Sequence, residues 1–156
     1  LYQSTLFLAK AALRYGISID VSLFLPRIPH LVAHCFKYRG AKLWRIPYFW
    51  EDDFEMFADD PIWKLSDSRL HAKGLKVFDF HPAYIALNND DFSRYERLKC
   101  EKPLATWDHD FVQAHIHKGH GPRTLFLELV DYLSDSGRSK LIKEIVFNQN
   151  LISHKD

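Results

Sequence analysis

Only two cysteines occur in this chain, Cys35 and Cys100, and they lie far apart. That spacing fits neither a zinc site nor a CxxC redox pair. A single disulfide stays open, but a reduced, cytoplasmic chain is the simpler expectation. Glycine is scarce too, at six residues, and none is arranged as a phosphate-cradling loop or a GxSxG nucleophile elbow. No apolar run approaches the ~18 residues of a membrane span. Neither charge sign dominates: 21 Lys and Arg stand against 20 Asp and Glu, for a formal net charge of +1. The basic residues are scattered, so no nucleic-acid footprint forms. No repeat, low-complexity tract or linker divides the chain. Its 156 residues suit one domain, 1–156. No signal peptide is visible. The chain opens at Leu1, at what reads as the entrance of a helix, and an N-terminal portion is expected before it.

Aromatic side chains are abundant, at 15% of the sequence, with 12 Phe, 7 Tyr and 4 Trp. Aromatics fill cores, and they also line carbohydrate and nucleotide sites. A chain of this length buries about 70% of its unfolded surface, so its core needs no staples.

Ser4 or Thr5 can cap a helix running to about Tyr15, which Gly16 terminates. Ile17 to Leu23 alternates apolar and polar, a strand signal. Helix, glycine, strand is the connection that feeds a parallel sheet. Cys35–Tyr38 and Leu43–Tyr48 flank Arg39-Gly40 and read as a hairpin. Phe54–Phe57 is a short helix, and Ser66–Lys73 is a second candidate. Leu75–Phe80 is again strand-like and stops at His81-Pro82. Helical stretches follow to about Lys99, across Trp107–His117 and from Arg123, where Leu125, Phe126, Leu129, Val130 and Leu133 keep helical spacing. Leu141, Ile142 and Ile145 suggest a last short helix. The order of elements predicts one α/β domain with a partly parallel sheet.

The stretch Arg45-Ile46-Pro47-Tyr48-Phe49-Trp50-Glu51-Asp52-Asp53 organises the rest. Pro47 ends regular pairing, an aromatic wall follows, and three carboxylates close it. Acids just past a strand end suit the floor of an α/β ligand site. Equally, Asp52 or Asp53 can be the N-cap of the next helix. Two other strands end in reactive residues. Asp20 and Ser22 lie on the first, and Asp79 and His81 end the third. If the strands are parallel neighbours, Asp, Arg and His converge on one rim, as a hydrolytic metal site or a general acid/base site requires. His81 is the best single candidate, since imidazole titrates near neutral pH and can hand a proton to a leaving group. The alternative is a half-buried histidine bonded to a carbonyl. His30 and His34 have the i, i+4 spacing of a metal pair on a helix, but Pro29 argues against a helix there. His115, His117 and His120 read as a solvated patch. His120 is the exception, because its flanking glycines permit a close approach to a ligand.

Arg45-Ile46-Pro47-Tyr48 resembles the Arg-x-Pro-Tyr motif of NodB-homology polysaccharide deacetylases, carbohydrate esterase family four. With Phe49-Trp50-Glu51-Asp52-Asp53, Gly74 to Pro82 and Gly121-Pro122-Arg123-Thr124, the chain is similar to a divergent WbmS-type bacterial branch over nearly its whole length. The resemblance implies the C-terminal part of a deformed (β/α)7 barrel. It implies a divalent metal, zinc or similar, held by one Asp and two His. A second Asp would activate water and a late His would act as the acid. Carried over, Arg45 takes the place of the Arg that orients the base, and His81 that of the acid. Tyr48, Trp50, Asp52, Asp53 and His120 are the candidate substrate contacts, with a metal-binding role for Asp52 or Asp53 as the alternative. The Asp-Asp pair is not found before Arg45, and His30 and His34 have the His-x-x-x-His spacing but lie too close to Arg45 to take the metal role, so the metal ligands are expected upstream of Leu1.

The implied reaction is removal of acetyl groups from N-acetylated sugars of a polysaccharide or its precursor. The alternative is a carbohydrate-binding or scaffold module on the same fold. A hydrolase pairing His81 with Asp79 is a weaker third option. The expected partner is a carbohydrate, with no nucleic acid and no membrane span. An exposed sheet edge would favour self-association.

Overall fold

The computed structural model describes residues 4–146. These divide into two compact units. The first takes the described residues up to Phe49, Ala72–Val77 and those from Arg138 onward; the second takes Trp50–His71 and Phe78–Gly137.

In the first unit, helix α1 (Thr5–Tyr15) stops at Gly16, which adopts the left-handed conformation expected of a terminator. Strand β3 (Ala41–Arg45) is the centre of a three-stranded sheet, parallel to β1 (Ile19–Asp20) and antiparallel to β2 (His34–Tyr38). Arg39 and Gly40 both have positive φ, 48° and 84°. A two-residue turn with that backbone matches the twist of its strands, so the hairpin register follows. Side chains alternate along β3 and the residue after it. Leu43 packs with Ala9 and Ala12 of α1. Trp44 and Ile46 pack with Ala33, Ile19, Val21, Leu75, Val77 and Ile142.

The strand expected over Ile17–Leu23 is shorter, because the Ser22 N–H and hydroxyl both donate to Asp20 Oδ1, at 3.3 and 2.7 Å. Such a local turn competes with ladder pairing. Pairing resumes beyond it, where Leu25 N–H donates to the Tyr48 carbonyl and Tyr48 N–H to that of Leu23.

In the second unit, β4 (Trp50–Glu51) pairs in parallel with β5 (Phe78–Asp79), Trp50 opposite Phe78 and Glu51 opposite Asp79. Helix α2 (Asp52–Glu55) follows β4 directly. The helix expected over Ser66–Lys73 is one 3₁₀ turn, Ser68–His71. Four helices complete the unit: α3 (Pro82–Leu87), α4 (Phe92–Glu101), α5 (His109–His115) and α6 (Pro122–Ser136). Asp91 caps α4 and Asp108 caps α5, each accepting a backbone N–H at 2.8 Å. The core joins Tyr84, Leu87, Tyr95 and Leu98 to Trp107 and Phe111.

The described residues form a mixed α/β structure, and no closed barrel is present among them. Both cysteines are free and exposed. No helix among the described residues is long and apolar enough to cross a membrane.

Candidate functional site

The second unit gathers Glu51, Asp52, Asp53, Asp79 and His81 at the ends of β4 and β5. Parallel pairing of Glu51 with Asp79 sets the two chain exits side by side. Beyond β4 the chain turns into α2, so Asp52 and Asp53 fall in its first turn and Glu51 takes the N-cap position without a side-chain bond. The capping role expected of Asp52 or Asp53 is therefore corrected. Asp52 turns inward and is fully buried.

Its carboxylate is occupied on both oxygens. Oδ2 accepts the backbone N–H of His81 at 2.8 Å, and Oδ1 meets His81 Nδ1 at 2.6 Å. Oδ1 also accepts the N–H of Asp53 at 3.0 Å. The carboxylate bonded to the His81 ring is thus Asp52, not Asp79. With Nδ1 donating to a carboxylate, Nε2 is the nitrogen left to meet a ligand. His81 itself is half-exposed and opens helix α3 as its N-cap, with Pro82 next.

The electrostatics follow from this crowding. Burial pushes the Asp52 carboxyl up, while the hydrogen bonds and charge of His81 pull it down; burial wins. On His81 burial disfavours the charged ring, but the bond and charge of Asp52, with the charges of Asp53 and Asp79, outweigh it and raise its pKa. Glu51 is pushed up to about 7, first by burial and then by Asp53 and Asp79. The Tyr84 phenol, beneath the His81 ring at 5.1 Å between centroids, is pushed up to about 12 by burial and the nearby carboxylates.

Glu51, Asp53 and His81 each offer a ligand atom, and these atoms lie within 4.8 Å of one another. Two carboxylates and an imidazole suit a divalent transition cation. Glu51 was legible only as the first of three consecutive acids; its pairing with Asp53 depends on the strand-to-helix turn.

Arg45, in the first unit, is buried and its Nε donates to Asp20 Oδ2 at 2.8 Å. Register explains the pair, since Asp20 lies opposite Arg45 on β1. Tyr48 is half-buried and stacks on Phe24 at 4.7 Å. His30 sits in a turn at φ 60° and His34 begins β2, so their helical spacing brings no pair together.

Two expected contacts are placed differently. Trp50 is fully buried among Trp63, Phe78 and Phe80, so it is a core residue rather than part of a sugar-lining wall. Its indole N–H has no partner among the described residues. His120 is exposed in the loop before α6. The close approach made by its flanking glycines is to protein: a Cβ on Gly119 would meet the His117 ring, and one on Gly121 would meet Asn88. His115 and His117 are half-buried rather than solvated. His115 Nδ1 bonds the Phe111 carbonyl, and His117 Nε2 lies 3.4 Å from Asp90.

Asn88 gave no sequence signal beyond a turn. It is buried and left-handed at φ 50°. Its Nδ2 donates to the carbonyls of His117 and Gly119, at 3.1 and 2.8 Å. Its Oδ1 accepts the N–H groups of Arg123 and Thr124 at the start of α6.

An α/β chain with a carboxylate-held histidine at adjacent strand ends has the elements of a hydrolase. Residues 1–99 match the family described as WbmS-like polysaccharide deacetylase, and the chain belongs to that family. It is similar in structure to a WbmS protein of Bordetella bronchiseptica, assigned as a polysaccharide deacetylase involved in O-antigen biosynthesis. The TM-score is 0.63 and the identity 25%, over 84% of this chain and 52% of that one. The chain therefore spans about half the length of that relative. No curated protein matches it.

Proposed function

We propose that the chain serves a hydrolase that removes acetyl groups from N-acetylated sugars of a polysaccharide or its precursor. The observation that carries this reading is the pair of hydrogen bonds between Asp52 and His81, in a chain of the deacetylase family. Asp52 fixes the ring and its tautomer. The charge and hydrogen bond of Asp52 raise the His81 pKa and so favour the protonated ring. As the C–N bond of the acetamide breaks, His81 Nε2 gives that proton to the leaving amine.

A divalent metal, zinc or similar, supplies a Lewis acid that polarises an acetamide carbonyl when bound. The described donors of suitable chemistry are Glu51, Asp53 and His81. His81 cannot hold a cation and a transferable proton on the same nitrogen, so no step is assigned through them. Arg45 orients a carboxylate in this reading, and the one it holds here is Asp20. Asp53, Tyr48 and His120 each keep exposed surface for a sugar.

The same reading takes 1–156 as one domain, the C-terminal part of a deformed (β/α)7 barrel, in the cytoplasm. Of these, the barrel assignment draws support from the parallel pairs β1–β3 and β4–β5 and the TM-score of 0.63. The open edge of β2, where Phe36 is exposed, is the surface through which copies would associate.

The test is acetate release from N-acetylglucosamine oligomers by the full-length protein, with and without added divalent metal. Hydrolysis that falls in His81→Ala supports the reading. Oligomer binding without hydrolysis in any metal supports the carbohydrate-binding or scaffold alternative.

A further inference from the structure

The water-facing side of α2 carries more than Asp53. Asp52 and Glu55 are buried, whereas Asp53 is half-buried and Phe54 and Phe57 are exposed. Helical hydrogen bonding runs past the end of α2: the Met56 N–H donates to the Asp52 carbonyl and the Phe57 N–H to that of Phe54. Asp53 and Phe57 are therefore neighbours one turn apart on the same side. Asp53 in turn lies beside His81, with ligand atoms of the two within 4.8 Å.

Phe57 is 69% exposed. Its ring meets that of Phe92, the first residue of α4, with centroids 5.1 Å apart and planes at 45°. A phenylalanine that served to pack α2 on α4 would be covered by this contact, but Phe57 leaves most of its ring in water. Phe92, half-buried, steadies it from one side. With Phe54 it makes a contiguous apolar patch beside a polar site, and such a patch marks a binding face.

The surroundings indicate the occupant. Asp59 and Asp91, two positions after Phe57 and one before Phe92, are exposed acids. Their charges repel an anionic lipid surface and disfavour an apolar partner face. Carboxylates do accept hydrogen bonds from hydroxyl groups. The negative face of an aromatic ring suits the C–H bonds on the flat side of a sugar. On the hydrolase reading the substrate is a chain of sugars, so the neighbours of the reacting one must also rest on protein.

We propose that Phe57, backed by Phe92, is a stacking platform for the sugar next to the one whose acetamide meets His81. This inference rests on the hydrolase reading and extends its site by one sugar. Binding energy gathered away from the reacting bond holds the acetamide in place, so oligomers are turned over better than the monosaccharide.

The test measures binding of the N-acetylglucosamine tetramer and monomer to the complete chain by isothermal titration calorimetry. Phe57→Ala removes the ring, Phe57→Tyr keeps its face, and far-UV circular dichroism checks both folds. The platform is supported by a tetramer bound at least about tenfold more tightly than the monomer. That preference should shrink roughly fivefold in Phe57→Ala, the scale of one aromatic contact, and persist in Phe57→Tyr. No preference for the tetramer, or one that Phe57→Ala leaves intact, overturns the proposal. So does a concentration-dependent dimer that Phe57→Ala dissolves while no tetramer binds. The readout is binding, so it is independent of turnover. A tetramer held through Phe57 yet never deacetylated refutes the hydrolase reading and keeps the platform. Acetate release from the tetramer that is indifferent to Phe57 refutes the platform alone.

Discussion

Asp52 grips His81 at two points, accepting its backbone N–H at 2.8 Å and bonding its ring Nδ1 at 2.6 Å. The ring's position is thereby tied to the same carboxylate that sets its proton affinity. Replacing Asp52 by Asn keeps the shape and removes the charge. The His81 pKa should fall in Asp52→Asn, measured by NMR titration of the ring nitrogens. An unchanged titration would locate the cause elsewhere. On the hydrolase reading, His81→Ala loses about 10²–10⁴-fold in kcat.

The cluster also makes stability depend on pH. Glu51, Asp52 and His81 all have raised values in the folded chain. The folded state therefore binds protons at a pH where the unfolded chain has released them. For Glu51 that contribution is complete below its ordinary 4.5 and is lost as pH rises through about 7. His81 adds the same sign above 6.5. Urea midpoints measured in chelator should fall between pH 5 and pH 8, and Glu51→Gln should flatten that slope. A midpoint that rises with pH would contradict the assignment.

Arg45 and Asp20 form a buried pair, at 6% and 11% side-chain exposure. Removing the Asp20 charge takes a 2.8 Å ion-pair contact from a buried guanidinium. Asp20→Asn should cost about 3–5 kcal/mol by denaturant unfolding. Arg45→Lys should not restore the loss, since an ammonium lacks the guanidinium's planar donor geometry. A cost below about 1 kcal/mol, the range of surface pairs, would show that water reaches the pair.

Trp50 tests core against binding face. If its role is packing, Trp50→Ala costs about 3–5 kcal/mol. Trp50→Phe should cost less, because it also removes a buried N–H that has no partner among the described residues. Equal losses in the two variants would mean that the indole nitrogen bonds something essential. Calorimetric melting of both proteins separates the cases.

How much of this was legible follows from which signals are local. Helix α1 with Gly16, and the hairpin across Arg39-Gly40, are written in short-range patterns. Asp20 and Arg45 were each visible as strand-end residues, but their pairing needs the register of β1 on β3. Asp52 is the sharper case. Its place among three acids suggested a cap, while its burial and its bond to a residue 29 positions away come from tertiary packing. Trp50 misled for a related reason: aromatic content does not distinguish a core from a sugar site, and only burial does. The short β1 shows local chemistry overriding alternation, with Ser22 and Asp20 satisfying each other where a ladder was expected.

Asn88 joins the turn at His117 and Gly119 to the first turn of α6 through one short side chain. His117 is tied in as well, its N–H donating to the Leu87 carbonyl. Neither segment can lift away while the other keeps its bonds to that amide group. They form a single opening unit, so the amide protons of His117, Arg123 and Thr124 should exchange with solvent deuterium together, at one shared rate.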